Sequence, residues 1–273
     1  MSASHSYVMG HTGHERRRLS LQASIINPVT DTFLRSAGVC AGMHVLELGC
    51  GVGEVSLIAA RLVGPRGSVH SIDIDSGALE IAQGRAQSAG HRHVRFECVS
   101  IQNLQPERPY DAIVGRHILI HVPDALAVLQ KAATLLHTGG VVAFQEFDVT
   151  FSLHGYPEMP LMFRMSDLIT QFLSRVVARP RIGAQLPRLM MEAGFSTPEC
   201  RAECSVDGGP HTQMAAWVAE TVRSLLPGMV ASGLATAAEV DIETLEARLS
   251  AEALETGGFA ISPMTYGAFA RKP

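Results

Sequence analysis

The sequence is short of several things, and each shortage excludes a class of function. No apolar run approaches the ~20 residues needed to cross a bilayer. The opening MSASHSYVMGHTGHERRR has no apolar stretch of the kind a secretory signal requires. The five cysteines (Cys40, Cys50, Cys98, Cys200 and Cys204) form no CxxC pair and no even framework, so reduced thiols in the cytoplasm are expected. Charge is also scarce, at 18% of residues with a formal net charge of −4. That leaves no electrostatic reason to expect nucleic acid or an anionic membrane as partner. The one basic run, Glu15 to Ser20, reads as the solvated face of a helix. There is no internal repeat and no low-complexity tract. What is present is 47% apolar residues over 273 positions, enough for one large domain or a domain with a smaller cap.

The chain has a regular rhythm in its first half. Residues 5–38 read as helix, with Pro28 expected to break the run. Short apolar strands are expected at 44–48, 68–74, 94–100, 110–116 and 141–147. Helical patterns lie between them at 54–64, 77–90 and 124–140, each stopping at a glycine. This alternation predicts a parallel sheet covered on both faces. After Phe147 the rhythm changes: 150–195 is Met-rich and helical, 197–206 reads as a strand, 211–232 and 238–255 as helices, and 258–272 as one or two final strands. The later helices are expected to cap the carboxyl ends of the strands, the edge at which open α/β sheets bind ligands.

Directly after the first strand stands VLELGCGVGEVS, with Gly49, Gly51 and Gly53 in a G-x-G-x-G spacing. Ordered glycine is entropically costly, so a cluster implies backbone geometry that a Cβ would forbid. The dinucleotide fingerprint needs G-x-G-x-x-G, and position 54 is Glu; a phosphate loop needs a Lys-Ser/Thr pair, and none follows. Glu47, two positions before the first glycine, would repel a pyrophosphate and suit an ammonium group. Asp73, at the end of the second strand, can accept hydrogen bonds from ribose hydroxyls. A nucleoside ligand with an ammonium group and no pyrophosphate has the composition of S-adenosyl-L-methionine.

At these residues the chain resembles the class I S-adenosylmethionine-dependent methyltransferases. VLELGCGVGE resembles the family's first motif, VHSIDIDSGAL its second, YDAIVGRHILIHVPD its fourth-strand motif and TGGVVAFQE its fifth. The resemblance covers residues 40–147 well and the rest loosely. The opening YVMGHTGHERRRLSLQA is similar to the N-terminal helix of small-molecule methyltransferases of actinobacterial secondary metabolism, akin to the ubiquinone/menaquinone C-methylases. There such a segment closes over the cofactor, which would bring Tyr7 and Gln22 to its methionine end. The resemblance implies cofactor contacts from Glu47, Gly49, Cys50, Gly51, Gly53, Asp73, Ile74 and Arg116. It also implies adenine contacts from Ile101 and from Ser100, which stands where the family usually has Asp.

The fold expected is α/β: a doubly wound, mostly parallel seven-stranded, Rossmann-like sheet with an N-terminal helical lid and an inserted helical cap. The lid is placed at 1–38, the core at 39–149, 183–206 and 237–273, and the cap at 150–182 and 207–236. Because the cofactor is itself the electrophile, the protein need only align a nucleophile and, for some acceptors, remove a proton. His117, His154 and Glu146 are the catalytic candidates, with Glu146 alternatively pairing with Arg116. His117 and His121 are four apart and can share a helical face, but no third ligand stands at a convincing spacing, so no metal is expected. The fourth strand lacks the D/N-P-P-Y of amino methylation of nucleic-acid bases, and no Pro-Cys nucleophile is present. Residues 115–122 contain no carboxylate for a magnesium site.

The Met159, Met162, Phe163, Met165, Leu168 and Phe172 stripe is of a kind more often core than pocket, yet flexible methionines over the active edge would suit an apolar acceptor and methyl transfer to carbon. The alternatives are an O- or N-methyltransferase with a histidine base, or a non-catalytic S-adenosylmethionine-binding protein. The partner expected is a small-molecule acceptor, with neither nucleic acid nor membrane. A homodimer stays open, since the lid can close over its own subunit or a neighbour's.

Overall fold

The computed structural model describes residues 13–150, 154–209 and 212–273. Two compact units share the chain. One comprises residues up to Ile26, Val149–Pro180 and Cys204–Met264; the other comprises Asn27–Asp148, Arg181–Glu203 and Thr265–Pro273. The second is the sheet unit. Its strands are β1 (His44–Leu48), β2 (Ser68–Asp73), β3 (Val94–Cys98), β4 (Tyr110–Arg116), β5 (Leu136–Phe147), β7 (Glu199–Glu203) and β10 (Thr265–Arg271), in the order β3-β2-β1-β4-β5-β10-β7. Strands β1 to β5 pair in parallel, and β10 runs antiparallel to both β5 and β7. This is the expected seven-stranded, mostly parallel sheet.

The strands that read as near-continuous apolar runs are buried on both faces. On one face Val45, Val69, Ala112, Val114, Val141 and Ala143 pack with Phe33 and Leu34 of α1 (Gly13–Ser36), with Ala37 just beyond it, and with Val55, Ile58, Ala59, Leu62 and Val63 of α2 (Glu54–Val63). Full burial of each such Val, Leu, Ile or Phe is worth roughly 1.5–3 kcal/mol. Helices α3 (Ser76–Ser88) and α4 (Ala125–Leu135) begin where Asp75 and Asp124 accept bonds from the backbone N–H groups of their first turns. Helix α6 (Ile182–Glu192) packs on β5 and β10.

The other unit holds the first half of α1, helices α5 (Pro160–Val176), α7 (Met214–Ala231), α8 (Ala237–Val240) and α9 (Ile242–Thr256), and a three-stranded antiparallel sheet of β6 (His154–Tyr156), β9 (Phe259–Ile261) and β8 (Val206–Gly208). Its interior contains Met159, Met162, Met165, Phe172 and Trp217, so the methionine stripe is largely core. Gly228 of α7 lets the Phe172 ring approach closely; a Cβ there would lie 2.4 Å from Cζ.

Three expectations need correction. α1 runs through Pro28 without breaking: the missing N–H removes one helical bond, and packing of Phe33 and Leu34 downstream outweighs the loss. Residues 136–140, read as the end of a helix, are already extended, because Leu136 pairs with Tyr110 and the backbone of Gly139 and Gly140 bonds to Lys272. Residues 237–264, assigned to the core, group with the helical unit, and residues 27–38, assigned to the lid, group with the sheet.

Two glycine substitutions should separate in sign. In β10 a Cβ on Gly267 would sit 2.5 Å from Phe33 Cε2, so Gly267→Ala should cost about 1–3 kcal/mol. Gly84, inside α3, meets nothing within 4 Å, and Gly84→Ala should stabilise by roughly 0.5–1 kcal/mol. Thermal melts of the two variants test this; equal shifts would contradict the packing at Gly267.

Candidate active site at the carboxyl ends of the strands

The turn between β1 and α2 explains its glycines. Gly49, Gly51 and Gly53 have φ of 64°, 50° and 85°, in the left-handed region that L side chains disfavour. At Gly49 the limit is also space: a Cβ would lie 2.4 Å from Cδ1 of Ile118, in the turn after β4. At Gly51 the position of the missing Cβ is open, with nothing within 4 Å. The Gly51 N–H donates to Asp73 Oδ2 (2.8 Å), while Asp73 Oδ1 accepts from the N–H groups of Ile74 (2.7 Å) and Asp75 (3.0 Å). Backbone donors therefore aim this carboxylate, and Oδ2 keeps a lone pair for a further donor.

Beside it Ile74 is 78% exposed, a large apolar side chain without cover. Ser100 stands just before the short 3-10 turn Ile101–Asn103 that follows β3, its carbonyl accepting from the Asn103 N–H (3.1 Å), and Ile101 is buried. Cys50 is buried, its N–H donates to the Ile72 carbonyl (3.1 Å), and burial pushes its thiol pKa up.

Glu47 is buried, and its Oε2 accepts from Ser71 Oγ (2.7 Å) and from Ser56 Oγ, so it ties β1 to β2 and α2. Burial raises its pKa to about 7; the two serine bonds and the Arg116 charge oppose that rise. Arg116, the last residue of β4, donates from Nη1 to Asn27 Oδ1 (2.9 Å) and Thr30 Oγ1 (2.8 Å) of α1. Desolvation lowers its pKa to about 10. Asn27 in turn donates to Glu54 Oε2 (2.9 Å), and Glu54 Oε1 pairs with Arg85 (2.6 Å).

Glu146 is corrected outright. It neither pairs with Arg116 nor stands free for an acceptor. It is fully buried and accepts from the backbone N–H groups of Ile118 (2.9 Å), Leu119 (2.7 Å) and Ile120 (3.4 Å), holding the turn after β4. Burial pushes its pKa to about 8 against the pull of those three donors. In the same turn His117 has φ of 54°, unusual for a residue with a Cβ. Its N–H donates to the Gln145 carbonyl (2.9 Å), and its ring stacks on Phe147 with centroids 3.9 Å apart. A 3-10 turn at Leu119–His121 follows, so His117 and His121 do not share a helical face.

The sheet unit thus brings together Glu47, Gly49, Cys50, Gly51, Gly53, Asp73, Ile74, Ser100, Ile101, Arg116, His117 and Glu146. Gln22 lies on the half of α1 that groups with the helical unit, where it accepts from Arg18 (2.8 Å). The backbone of His154 belongs to β6 of that unit; its side chain, and Tyr7, lie outside the described residues. The sequence reading did not find Asn27, Thr30, Gln145 or Phe147. Arg116 and Gln145 are cross-strand partners, a pairing that follows from β4–β5 register and from no local pattern.

The family model described as methyltransferase domain matches residues 40–192. The chain is similar to aklanonic acid methyltransferase DauC of Streptomyces sp. strain C5, 35% identical over 48% of this chain and 59% of that protein. It is also similar to the ubiquinone biosynthesis O-methyltransferase of Albidiferax ferrireducens, 34% identical over 44% of this chain and 47% of that protein. The chain therefore spans about half the length of these curated relatives. Among solved structures, phosphoethanolamine N-methyltransferase 2 of Haemonchus contortus, in complex with phosphomonomethylethanolamine and S-adenosylhomocysteine, superposes with a TM-score of 0.55. It is 15% identical, with 89% of this chain and 52% of that one covered, and it supports the fold alone.

The Glu146 carboxyl generates a pH prediction. Its folded pKa of about 8 lies above the unfolded value near 4.5, so its neutral form is favoured by folding. The stability this contributes is complete at low pH and is lost as pH rises from about 4.5 through about 8. Glu146→Gln, neutral throughout, should lose less stability than the wild type between pH 5 and 8.5 in urea melts. Parallel profiles would show that the carboxyl does not take up a proton on folding.

Proposed function

Since the chain belongs to the methyltransferase-domain family, matched over residues 40–192, we propose that it transfers a methyl group from S-adenosyl-L-methionine to a small, largely apolar metabolite. The observation that carries this is the Gly51–Asp73 pair: an open backbone position beside a carboxylate aimed by three backbone N–H groups. The residues fit the cofactor. A side chain at Gly51 would fill the open space, Asp73 Oδ2 has a lone pair for a ribose hydroxyl, and the uncovered Ile74 offers a face to adenine. When bound, the cofactor supplies an electrophilic methyl group. The chain's residues then have to orient the acceptor, exclude water and, for an acidic acceptor, take a proton.

Oxygen is the accepting atom this geometry favours. The methionine stripe that suggested methyl transfer to carbon is largely core of the helical unit, so it no longer supports that reading. His117 remains at the tip of β4, its backbone in an uncommon conformation and its ring fixed on Phe147, where a general base would be needed. Activity without a metal is supported by the engagement of the nearest carboxylates: Glu47 binds serine hydroxyls and Glu146 binds backbone amides. Carbon methylation is the second reading, favoured only by the apolar surroundings.

Labelled methyl transfer from S-adenosylmethionine into a fractionated cell extract tests the proposal. Label should enter the small-molecule fraction and be lost with Asp73→Ala; label only in protein or nucleic acid would refute a small acceptor. With the product identified, His117→Ala should lower kcat by roughly 10²–10⁴-fold if oxygen is methylated with His117 as base. A fall of less than tenfold would favour carbon.

A further inference from the structure

The site holds a cation bonded to neutral oxygens and an amide with no hydrogen-bond partner among the described residues. Arg116 is partly buried, and its hydrogen bonds among the described residues go to two neutral oxygens, those of Asn27 and Thr30, both through Nη1. It makes no direct ion pair among those residues: Asn27 stands between it and Glu54, and the charges of Glu54 and Glu47 act on it from further off. A desolvated guanidinium normally has a carboxylate partner, because removing it from water is costly. In register beside it on β5 stands Gln145, only 1% exposed, whose Oε1 and Nε2 have no hydrogen-bond partner among the described residues. Buried side-chain amides are almost always bonded, so an idle one at a strand tip calls for an explanation. On the far side of Gln145, in β10, stands Gly267, and the Phe33 ring fills the space a Cβ would take there. The amide is thus walled by an aromatic ring on one side and flanked by a cation on the other.

Resting on the methyltransferase reading above, we propose that Gln145 and Arg116 form an anchor for an acidic oxygen of the methyl acceptor, a carboxylate, enolate or phenolate. The Gln145 Nε2 and the unused guanidinium N–H groups supply the donors, and the guanidinium supplies the charge. The strand order favours the acceptor as occupant of the Gln145 end. The Gly51–Asp73 pair lies at the tips of β1 and β2, whereas Gln145 is two strands beyond β1, about 10 Å across the sheet. Next to the anchor, His117 donates its backbone N–H to the Gln145 carbonyl and stacks on Phe147, so an anchored acceptor would lie beside the candidate base. Gln145 is here a specificity-determining residue, and Arg116 passes from the cofactor's contacts to the acceptor's.

The test uses the full chain loaded with S-adenosylhomocysteine and two probes of one shape, 2-naphthoate and its methyl ester, titrated by calorimetry or ligand-observed NMR. The wild type should bind the acid at least tenfold more tightly than the ester. Gln145→Leu should reduce that preference at least fivefold while leaving S-adenosylhomocysteine affinity within twofold. Gln145→Glu, close in shape, should abolish the preference, and it carries the test if the leucine variant does not fold. Equal binding of acid and ester by the wild type would overturn the proposal, as would a preference that survives both variants. A tenfold loss of S-adenosylhomocysteine affinity in the variants would assign the anchor to the cofactor instead, and overturn it too. A wild type that does not bind S-adenosylhomocysteine would fail earlier, removing the methyltransferase reading itself.

Discussion

The Glu146 carboxylate gathers three backbone N–H groups of the turn after β4, and the arrangement of the site depends on that contact. A turn that leaves a strand abruptly exposes amide donors that no ladder or helix satisfies, and buried donors of that kind each cost of order 1–3 kcal/mol when left alone. Glu146 reaches them from the neighbouring strand. With the turn held, Ile118 lies against Gly49, which is why that position excludes even a methyl group. His117 is held in its left-handed conformation over Phe147. The glycine turn after β1 and the turn after β4 are therefore two halves of one packed unit.

The electrostatics of the strand tips follow from burial more than from charge pairing. Glu47 and Glu146 are buried carboxyls whose proton affinity is raised, to about 7 and about 8, and both are held by neutral donors. Arg116 is shifted in its own neutral direction, to about 10, and still carries its proton at physiological pH. Near neutrality, then, the tips of β1, β4 and β5 hold a charged guanidinium beside carboxyls that are at least partly protonated. Such an environment is more receptive to an anion than the three residue types suggest when read as −1, −1 and +1.

Much of this was legible in the sequence, because it is local. The alternation of apolar strands and glycine-ended helices gives the sheet, and the G-x-G-x-G spacing with Asp73 gives the turn and the carboxylate beside it. The misreadings arose where a distant contact overrides a local signal. Pro28 signals a break, but Phe33 and Leu34 bury against the sheet and carry the helix through it. Glu146 reads as a functional acid because sequence cannot show that a turn 26–28 positions earlier needs its oxygens. The methionine stripe has the spacing of a surface and also of a core, and its burial, with Gly228 admitting Phe172 to α7, shows which it is. Gln145 has no local signature at all: its significance lies in what stands across β4 and β10.

On the proposed reading the sheet presents a cofactor to an acceptor but does not choose the acceptor, since the electrophile is supplied from outside and the strand tips only position the partner. Selection has to come from groups within reach of the reacting atom that are left unsatisfied without it. By that criterion the β1–β2 side is already partly self-satisfied: Asp73 and Glu47 both have protein donors before any ligand is considered. The β4–β5 side is not, because among the described residues Arg116 makes no direct ion pair and the Gln145 amide has no hydrogen-bond partner. An acceptor that offers nothing to these two groups leaves the buried Gln145 amide without a partner and the partly buried Arg116 with neutral oxygens alone as hydrogen-bond partners, a larger penalty than a poorly filled apolar surface imposes. On the proposed reading, chemical specificity therefore sits at β4 and β5, the two strands that His117 also joins.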